Sequence, residues 1–443
     1  MYKPAFISTA VLVLAFLSST ANAVDLMEIY NHAKDSDPVY KQSIATYQAT
    51  IEAKPQARAQ LLPLIRLDAN LGHHNQDIAQ PNVFGKVTTR TENFGSRGYT
   101  LDLTQPIFRY DRFLAVHLAD SQIEQAMAQM DAAHQDLMVR TAQGYFNSLA
   151  ADDDLAFARA EKAALDRQLD QSKQLFEAGM VAITDVQEAQ SGYDRAVANE
   201  IAAVNAVDNS REALREITGE FFSALSALNE TIPLVTPDPE NIEEWVTTSQ
   251  QKNLQVIAAR HALENARETI DIQKAGHLPT LDLVAKKDFT SPLGIGTSTS
   301  ELDDTYIGLQ FNLPLFQGGF VNSRTRQAQQ FYDRAQEQLE QQLRAAQRQT
   351  REAYLGVISG ISKVTALKQA VLSSETALEA TQAGYEVGTR TAVDVVTAQQ
   401  TTFQAKRDYA QARYEYLLNT LRLKQAAGTL APEDLAQINS WME

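Results

Sequence analysis

One stretch of the chain occurs twice. Phe176-Glu177-Ala178-Gly179 runs on to Asp185-Val186 and Ala189-Gln190, and Tyr385-Glu386-Val387-Gly388 runs on to Asp394-Val395 and Ala398-Gln399. The two copies lie nearly half of the 443 residues apart. A repeat of that length is a duplicated domain-sized unit and not a short solenoid repeat. In each copy a glycine break is followed by an aspartate at the start of a long polar-apolar helix. The spacing predicts two similar halves, each with one tight helical turn.

Residues 110–177 and 320–386 contain no proline, and their only glycines are Gly144, Gly356, Gly360 and Gly384. As unbroken helices they are about 100 Å long at ~1.5 Å per residue. Abundant Ala and Gln with a thin apolar stripe predicts side-by-side packing as coiled coils. A solid bundle needs a wider apolar face. A hollow, water-filled cylinder of helices does not.

Two hairpin-like regions interrupt the helices. In the first, Ile65, Leu67, Ala69 and Leu71 alternate with Arg66, Asp68 and Asn70, and Leu101 and Leu103 alternate with Asp102 and Thr104. In the second, Leu281, Leu283 and Ala285 alternate with Asp282, Val284 and Lys286, and Ile307, Leu309, Phe311 and Leu313 alternate with Gly308, Gln310 and Asn312. Period-two alternation is the strand signature. A sheet lying on a soluble core shows the same alternation. Here the polar face carries mixed charge and no short amphipathic helix lies nearby to cover the apolar one, which fits a transmembrane β-barrel with polar side chains inward. Phe94, Tyr99, Phe108, Tyr110, Phe289, Tyr306, Phe316 and Phe320 near the strand ends suit interfacial girdles. Four strands cannot close a barrel, and open edges are not tolerated in lipid. Several copies must therefore share one barrel: eight strands in a dimer, twelve in a trimer.

Lys3, the apolar run Ala5 to Phe16 and Ala21-Asn22-Ala23 read as a secretory signal peptide, cleaved before Val24. No later apolar stretch approaches the ~18–20 residues of a membrane helix. The chain has no cysteine, which excludes disulfides, thiolate metal sites and a lipid anchor on cysteine. The net charge is −16, and loss of the signal removes Lys3 and no acidic residue. Such acidity argues against nucleic acid and anionic lipid as partners and suits a cation-attracting lumen.

Pro63 and Pro279 enter the first strand of each hairpin, and Pro106 and Pro314 leave the second. Polar loops are expected at roughly 76–96 and 290–304. Residues 219–247, with Pro233, Pro237 and Pro239, read as a lateral subdomain, and the stretch after Gly428 is similar. Asp238-Pro239-Glu240 reads as a helix start.

Leu61-Leu62-Pro63, Gly179 to Val186, Leu214 to Gly219, His277 to Leu283, Gln317-Gly318-Gly319 and Gly384 to Thr391 occur in one order on this duplicated scaffold. With them the chain resembles the TolC family of outer-membrane efflux and secretion channels over essentially its whole mature length. The resemblance implies a mixed α+β membrane protein. In it a homotrimer forms a twelve-stranded outer-membrane β-barrel that continues into a long periplasmic α-helical barrel with a mixed equatorial subdomain. The implied division is a signal peptide at 1–23, a first repeat at 24–218 with its hairpin at about 61–108, and an equatorial segment at 219–247. A second repeat at 248–427 has its hairpin at about 278–316, and a C-terminal equatorial segment spans 428–443. The implied role is a passive exit channel for drug efflux or type I secretion in a Gram-negative outer membrane, without catalytic residues, cofactor or metal. The implied partners are outer-membrane lipid, a periplasmic adaptor (membrane fusion) protein and an inner-membrane RND, ABC or MFS transporter.

The repeated turns then become periplasmic tips, with Gly179, Met180, Val181, Gly388 and Thr389 meeting the adaptor. The resemblance implies that Arg390 and Tyr385 lock the closed state against Thr184 and Asp185 of a neighbouring coil. It also implies that Asp394 forms an acidic ring at the constriction, open to multivalent cations. Helix capping competes with both roles: Thr184-Asp185-Val186-Gln187 reads as a capping box, and the helix dipole favours a carboxylate at Asp394. Close family members have a second aspartate where this chain has Thr397, so one acidic ring replaces two, with weaker cation selectivity and weaker trivalent block expected.

Other constellations are poor. His73-His74 lacks a third ligand at a useful spacing, and there is no phosphate-binding loop, nucleophile elbow or HExxH. Gly318-Gly319 suits a relaxed barrel-to-helix junction. The alternative function is a non-pore periplasmic coiled-coil adaptor or scaffold, which predicts one helical hairpin flanked by compact β-domains. A periplasmic enzyme is a third reading without a candidate site.

Overall fold

The computed structural model describes residues 23–81, 83–293 and 301–442. The expected signal peptide lies outside them except for Ala23. The first half consists of α1 (Leu26–Ser36), α2 (Pro38–Ile51), α3 (Ala53–Ala59), β1 (Leu64–Pro81), β2 (Val87–Phe108), α4 (Tyr110–Glu177) and α5 (Ile183–Thr218). The second consists of α6 (Ile242–Lys252), α7 (Leu254–Ala275), β3 (Thr280–Leu293), β4 (Leu302–Asn312), α8 (Phe320–Glu386) and α9 (Ala392–Ala427), followed by α10 (Pro432–Asn439). The two proline-free stretches form single helices of 68 and 67 residues, and each turns back through a helix of 36.

The strands form one antiparallel sheet in the order β1-β2-β3-β4, so β2–β3 pairing joins the two halves. The registers sort side chains by parity. Ile65, Leu67 and Ala69 pair with Leu103, Leu101 and Tyr99, and Leu103 pairs with Ala285, which pairs with Ile307. This face is apolar, and Ile65, Leu67 and Ile307 on it are exposed. The other face carries Arg66, Asp102 and Lys286 in one row and Asp68, Thr100 and Asp288 in the next. There Asp288 accepts from Thr100 Oγ1 at 2.6 Å and pairs with Lys286 Nζ at 2.7 Å. Lys287 interrupts the apolar face and reaches diagonally to Asp303, which shortens its excursion into apolar surroundings.

Several sequence expectations change here. The 76–96 loop is mostly strand, because β1 and β2 pair out to Pro81 and Val87, beyond the end of β3 at Leu293. In that ribbon both faces are mostly polar, with Phe94, Ile78 and Val87 scattered along it, so no alternation marks it. The 290–304 loop lies largely outside the described residues, and β3 and β4 take its ends. Pro106 does not end β2; it sits at a register shift before Phe108, where a missing N–H is tolerated. Phe94 is no girdle residue, since parity puts it on the polar face, stacked on His74 at 5.1 Å. Tyr306 is also on the polar face, folded over Gly308. Tyr99 and Phe289 do stack on the apolar face, at 5.3 Å between centroids. The helix after the first lateral segment starts at Ile242, capped by Asn241 through Glu243 N–H at 3.0 Å, and not at Asp238-Pro239. Gly318 and Gly319 both have positive φ, and Gly319 is the N-cap of α8. α8 also contains a window apolar enough, at the lower limit, for a membrane span. It packs lengthwise on α7 and α9, as part of the helical bundle.

The core sits midway along the long helices. Leu26 and Ile29 of α1, Leu137, Tyr145 and Phe146 of α4, Leu417 and Leu421 of α9 and Leu435 of α10 are fully buried in one cluster. Each such side chain contributes roughly 1.5–3 kcal/mol of burial. The lateral segments fasten there: Tyr145 donates to Ser226 O at 2.8 Å and Val235 N–H donates to Tyr416 Oη at 2.8 Å. Towards the turns, among the described residues, Leu169, Val186 and Ala189 form a small cluster with Tyr193 against it. The helix ends at the turns are therefore more thinly packed than the middle of the helices.

Candidate functional site

Both copies of the repeated turn use one backbone motif. After α4, Gly179 has φ +71°, Met180 N–H donates to Leu175 O at 2.8 Å, and Gly179 N–H donates to Phe176 O at 2.9 Å. After α8, Gly388 has φ +77°, Thr389 N–H donates to Gly384 O at 2.8 Å, and Gly388 N–H donates to Tyr385 O at 3.0 Å. These nested bonds close the last turn of a helix, and the left-handed residue within them favours glycine. Thr389 adds a hydroxyl bond to Gly384 O at 3.0 Å. Met180 and Thr389 are exposed at the outermost points, while Val181 is half-buried.

The next helix begins four residues after each glycine, and there the copies part. Ala182 is the N-cap of α5 and offers no side-chain bond. Thr391 is the N-cap of α9 and closes a capping box. Asp394 N–H donates to Thr391 Oγ1 at 3.3 Å, while Asp394 Oδ2 accepts from Thr391 N–H and from Thr391 Oγ1, both at 2.9 Å. The expected box at Thr184–Gln187 is therefore absent, because Thr184 lies inside the first turn of α5 and the cap position falls on Ala182. The Thr391 backbone and hydroxyl donors hold the Asp394 carboxyl below the usual carboxylate range against a small desolvation, with help from the Arg390 charge.

The aliphatic stem of Arg390 folds over Gly384, so closely that a Cβ there would stand 2.7 Å from Arg390 Cγ. The matching positions in the first copy are Val181 and Leu175. The Tyr385 hydroxyl is occluded and has no hydrogen-bond partner among the described residues. The structure thus gathers Tyr385, Arg390 and Asp394 on the second turn, and Thr184 and Asp185 on the first. Within one chain, no hydrogen bond or ion pair joins the two groups among the described residues.

Three features behind the turns escaped the sequence reading. Gly192 of α5 admits Val396 of α9, whose Cγ1 would lie 3.2 Å from a Cβ at that position. Buried Glu161 of α4 pairs with Arg407 of α9. Gln168 and Ser172 of α4 and Gln399 of α9 bury polar atoms that have no partner among the described residues. A lone helical glycine or glutamine carries no signal of such a role, whereas superposing the two repeats would have exposed Thr391 against Ala182. His74 bonds Ser96 Oγ at 2.7 Å, and no group of three metal-ligating side chains occurs among the described residues.

Comparisons with known proteins bear on the family and the fold. Residues 29–220 and 245–429 match the model of the family described as outer membrane efflux protein. Outer membrane protein TolC of Vibrio cholerae is 38% identical, covering 99% of this chain and 98% of its own length. Outer membrane protein TolC of Escherichia coli is also 38% identical, covering 96% of this chain and 87% of its own length. Among solved structures, the Campylobacter jejuni CmeC outer membrane channel superposes with a TM-score of 0.79 at 16% identity, covering 100% of this chain and 98% of that one. With two helical hairpins and a four-stranded sheet, the architecture is not that of an adaptor with a single hairpin. The chain belongs to the outer membrane efflux protein family.

Proposed function

We propose that the protein is the outer-membrane exit duct of drug efflux pumps and of type I secretion machines, a passive conduit with no reaction of its own. The observation that carries this is the sheet, apolar on one face and charged on the other, whose strands β2 and β4 lead, through Arg109 and through residues 313–319, into helices of 68 and 67 residues. Among the described residues β1 and β4 each pair on one side only. Lipid leaves no such edge unpaired, so the edges join between copies, and three chains close a barrel of twelve strands. Ile65, Leu67 and Ile307 then face outer-membrane lipid, and Lys286 and Asp288 line the water-filled bore. The relatives include the alkaline protease secretion protein AprF of Pseudomonas aeruginosa, 28% identical over 95% of this chain. That likeness supports export of proteins as well as small molecules.

The turns at Gly179 and Gly388 are the periplasmic end in this reading. Met180, Val181 and Thr389 meet a periplasmic adaptor, which couples the duct to an RND, ABC or MFS transporter in the inner membrane. Three Asp394 carboxylates ring the constriction, and Arg390 and Tyr385 close it against Thr184 and Asp185 of the neighbouring chain. The thin packing near the turns and the unpartnered Gln168, Ser172 and Gln399 favour opening there, since such groups gain hydration when the coils part. Extraction from outer membranes should yield a trimer that conducts ions in planar bilayers. A monomer without conductance would overturn the proposal.

A further inference from the structure

The second turn binds its own carboxylate in a way the first does not. Both bonds that the box makes to the carboxylate go to one oxygen of Asp394, namely Oδ2, from the backbone and the hydroxyl of Thr391. The Thr391 hydroxyl in turn accepts from Asp394 N–H, so one side chain fixes both the rotamer of the carboxylate and the start of α9. Among the described residues no donor reaches Oδ1. In the first copy the corresponding pair is Ala182 and Asp185, where the cap position has no hydroxyl to offer.

We propose that Thr391 is the positioning residue of the pore constriction, setting its selectivity for cations by holding Asp394 with one oxygen tied back and the other turned outward. This rests on the reading of Asp394 as the ring residue. Three carboxylates brought near one axis repel each other, and a free side chain relieves that repulsion by rotating away. Bonds from Thr391 oppose the rotation, because charge-assisted hydrogen bonds are directional and stronger than neutral ones. The ring is then a preorganised ligand for a polyvalent cation, formed before the ion arrives. The single aspartate per chain makes this matter more, as Thr397 supplies no second carboxylate behind it.

The test uses the full-length protein in planar bilayers, with lanthanum ions as the blocking probe, in wild type, T391A, T391S and D394A. T391A should raise the half-blocking concentration by about tenfold, the loss expected for a charge-assisted bond. T391S keeps the hydroxyl and should stay within about twofold of wild type. Block of T391A at the wild-type concentration would overturn the positioning role, and so would a T391S response equal to that of T391A. Unchanged block in D394A would instead overturn the ring reading underneath. Alanine is already the cap residue of the first turn, so the substitution is compatible with this backbone.

Discussion

At the first turn Ala182 starts α5 with backbone bonds alone, Val181 follows the tip, and Leu175 fills the last turn of α4. At the second, Thr391 closes a capping box on Asp394, Arg390 follows the tip, and Gly384 clears space for its stem. The backbones agree down to the glycine torsions and the nested hydrogen bonds. Duplication has therefore preserved the fold of the turn, which any duct of this length needs twice, while the second copy alone carries an arginine and a hydroxyl cap. Apolar Leu175 and Val181 suit a fixed wall, and the small-then-long pair Gly384 and Arg390 suits an arm that can swing away.

The largest effect should come from Arg390. If its guanidinium holds the closed state against a neighbouring chain, R390A removes a charge-assisted contact of about 1.5–3 kcal/mol and shifts the closed-to-open ratio about tenfold or more. Single-channel conductance reads this directly, and a wild-type trace from R390A would leave the two turns functionally equal.

Next comes the pH dependence of the cap. Asp394 is held below its ordinary range, chiefly by the Thr391 backbone and hydroxyl donors. Its contribution to the start of α9 is fully present above the unfolded carboxylate value of about 3.9 and is lost as pH falls through the lower folded value. Hydrogen exchange, normalised for intrinsic rates, should show the Asp394 amide losing protection below about pH 4. The start of α5 lacks this box, so identical pH profiles at the two turns would mean that the box does not hold the start of α9.

A smaller effect is expected from A182T, which copies the second cap into the first turn. A Thr in place of Ala at an N-cap is worth about 1 kcal/mol, and the Asp185 amide should gain protection accordingly. No gain would mean that α5 cannot adopt the boxed start.

Much of this architecture was legible in the chain. Proline-free runs from 110 and 320 gave the long helices, and the parity of Ile65, Leu67, Leu101 and Ile307 gave the faces of the sheet. What stayed hidden had a physical cause in each case. The ribbon beyond Gly72 is mostly polar on both sides, so strand and loop read alike until pairing is seen. Thr184 matched a capping pattern two residues too late, because the glycine turn fixes where α5 begins. Phe94 resembled a girdle residue until the register placed it against His74. Contacts such as Gly192 with Val396 join segments far apart in sequence, and no local pattern announces them.

In the proposed duct the cation-binding constriction lies at the turn end, roughly 100 Å of helix away from the sheet. The most direct measurement is the sidedness of lanthanum block in a planar bilayer with the protein inserted in one orientation. Strong block is expected from the side bearing the helical turns, much weaker block from the loop side, and loss of the difference in D394A. Equal block from both sides, or sidedness that survives D394A, would contradict it.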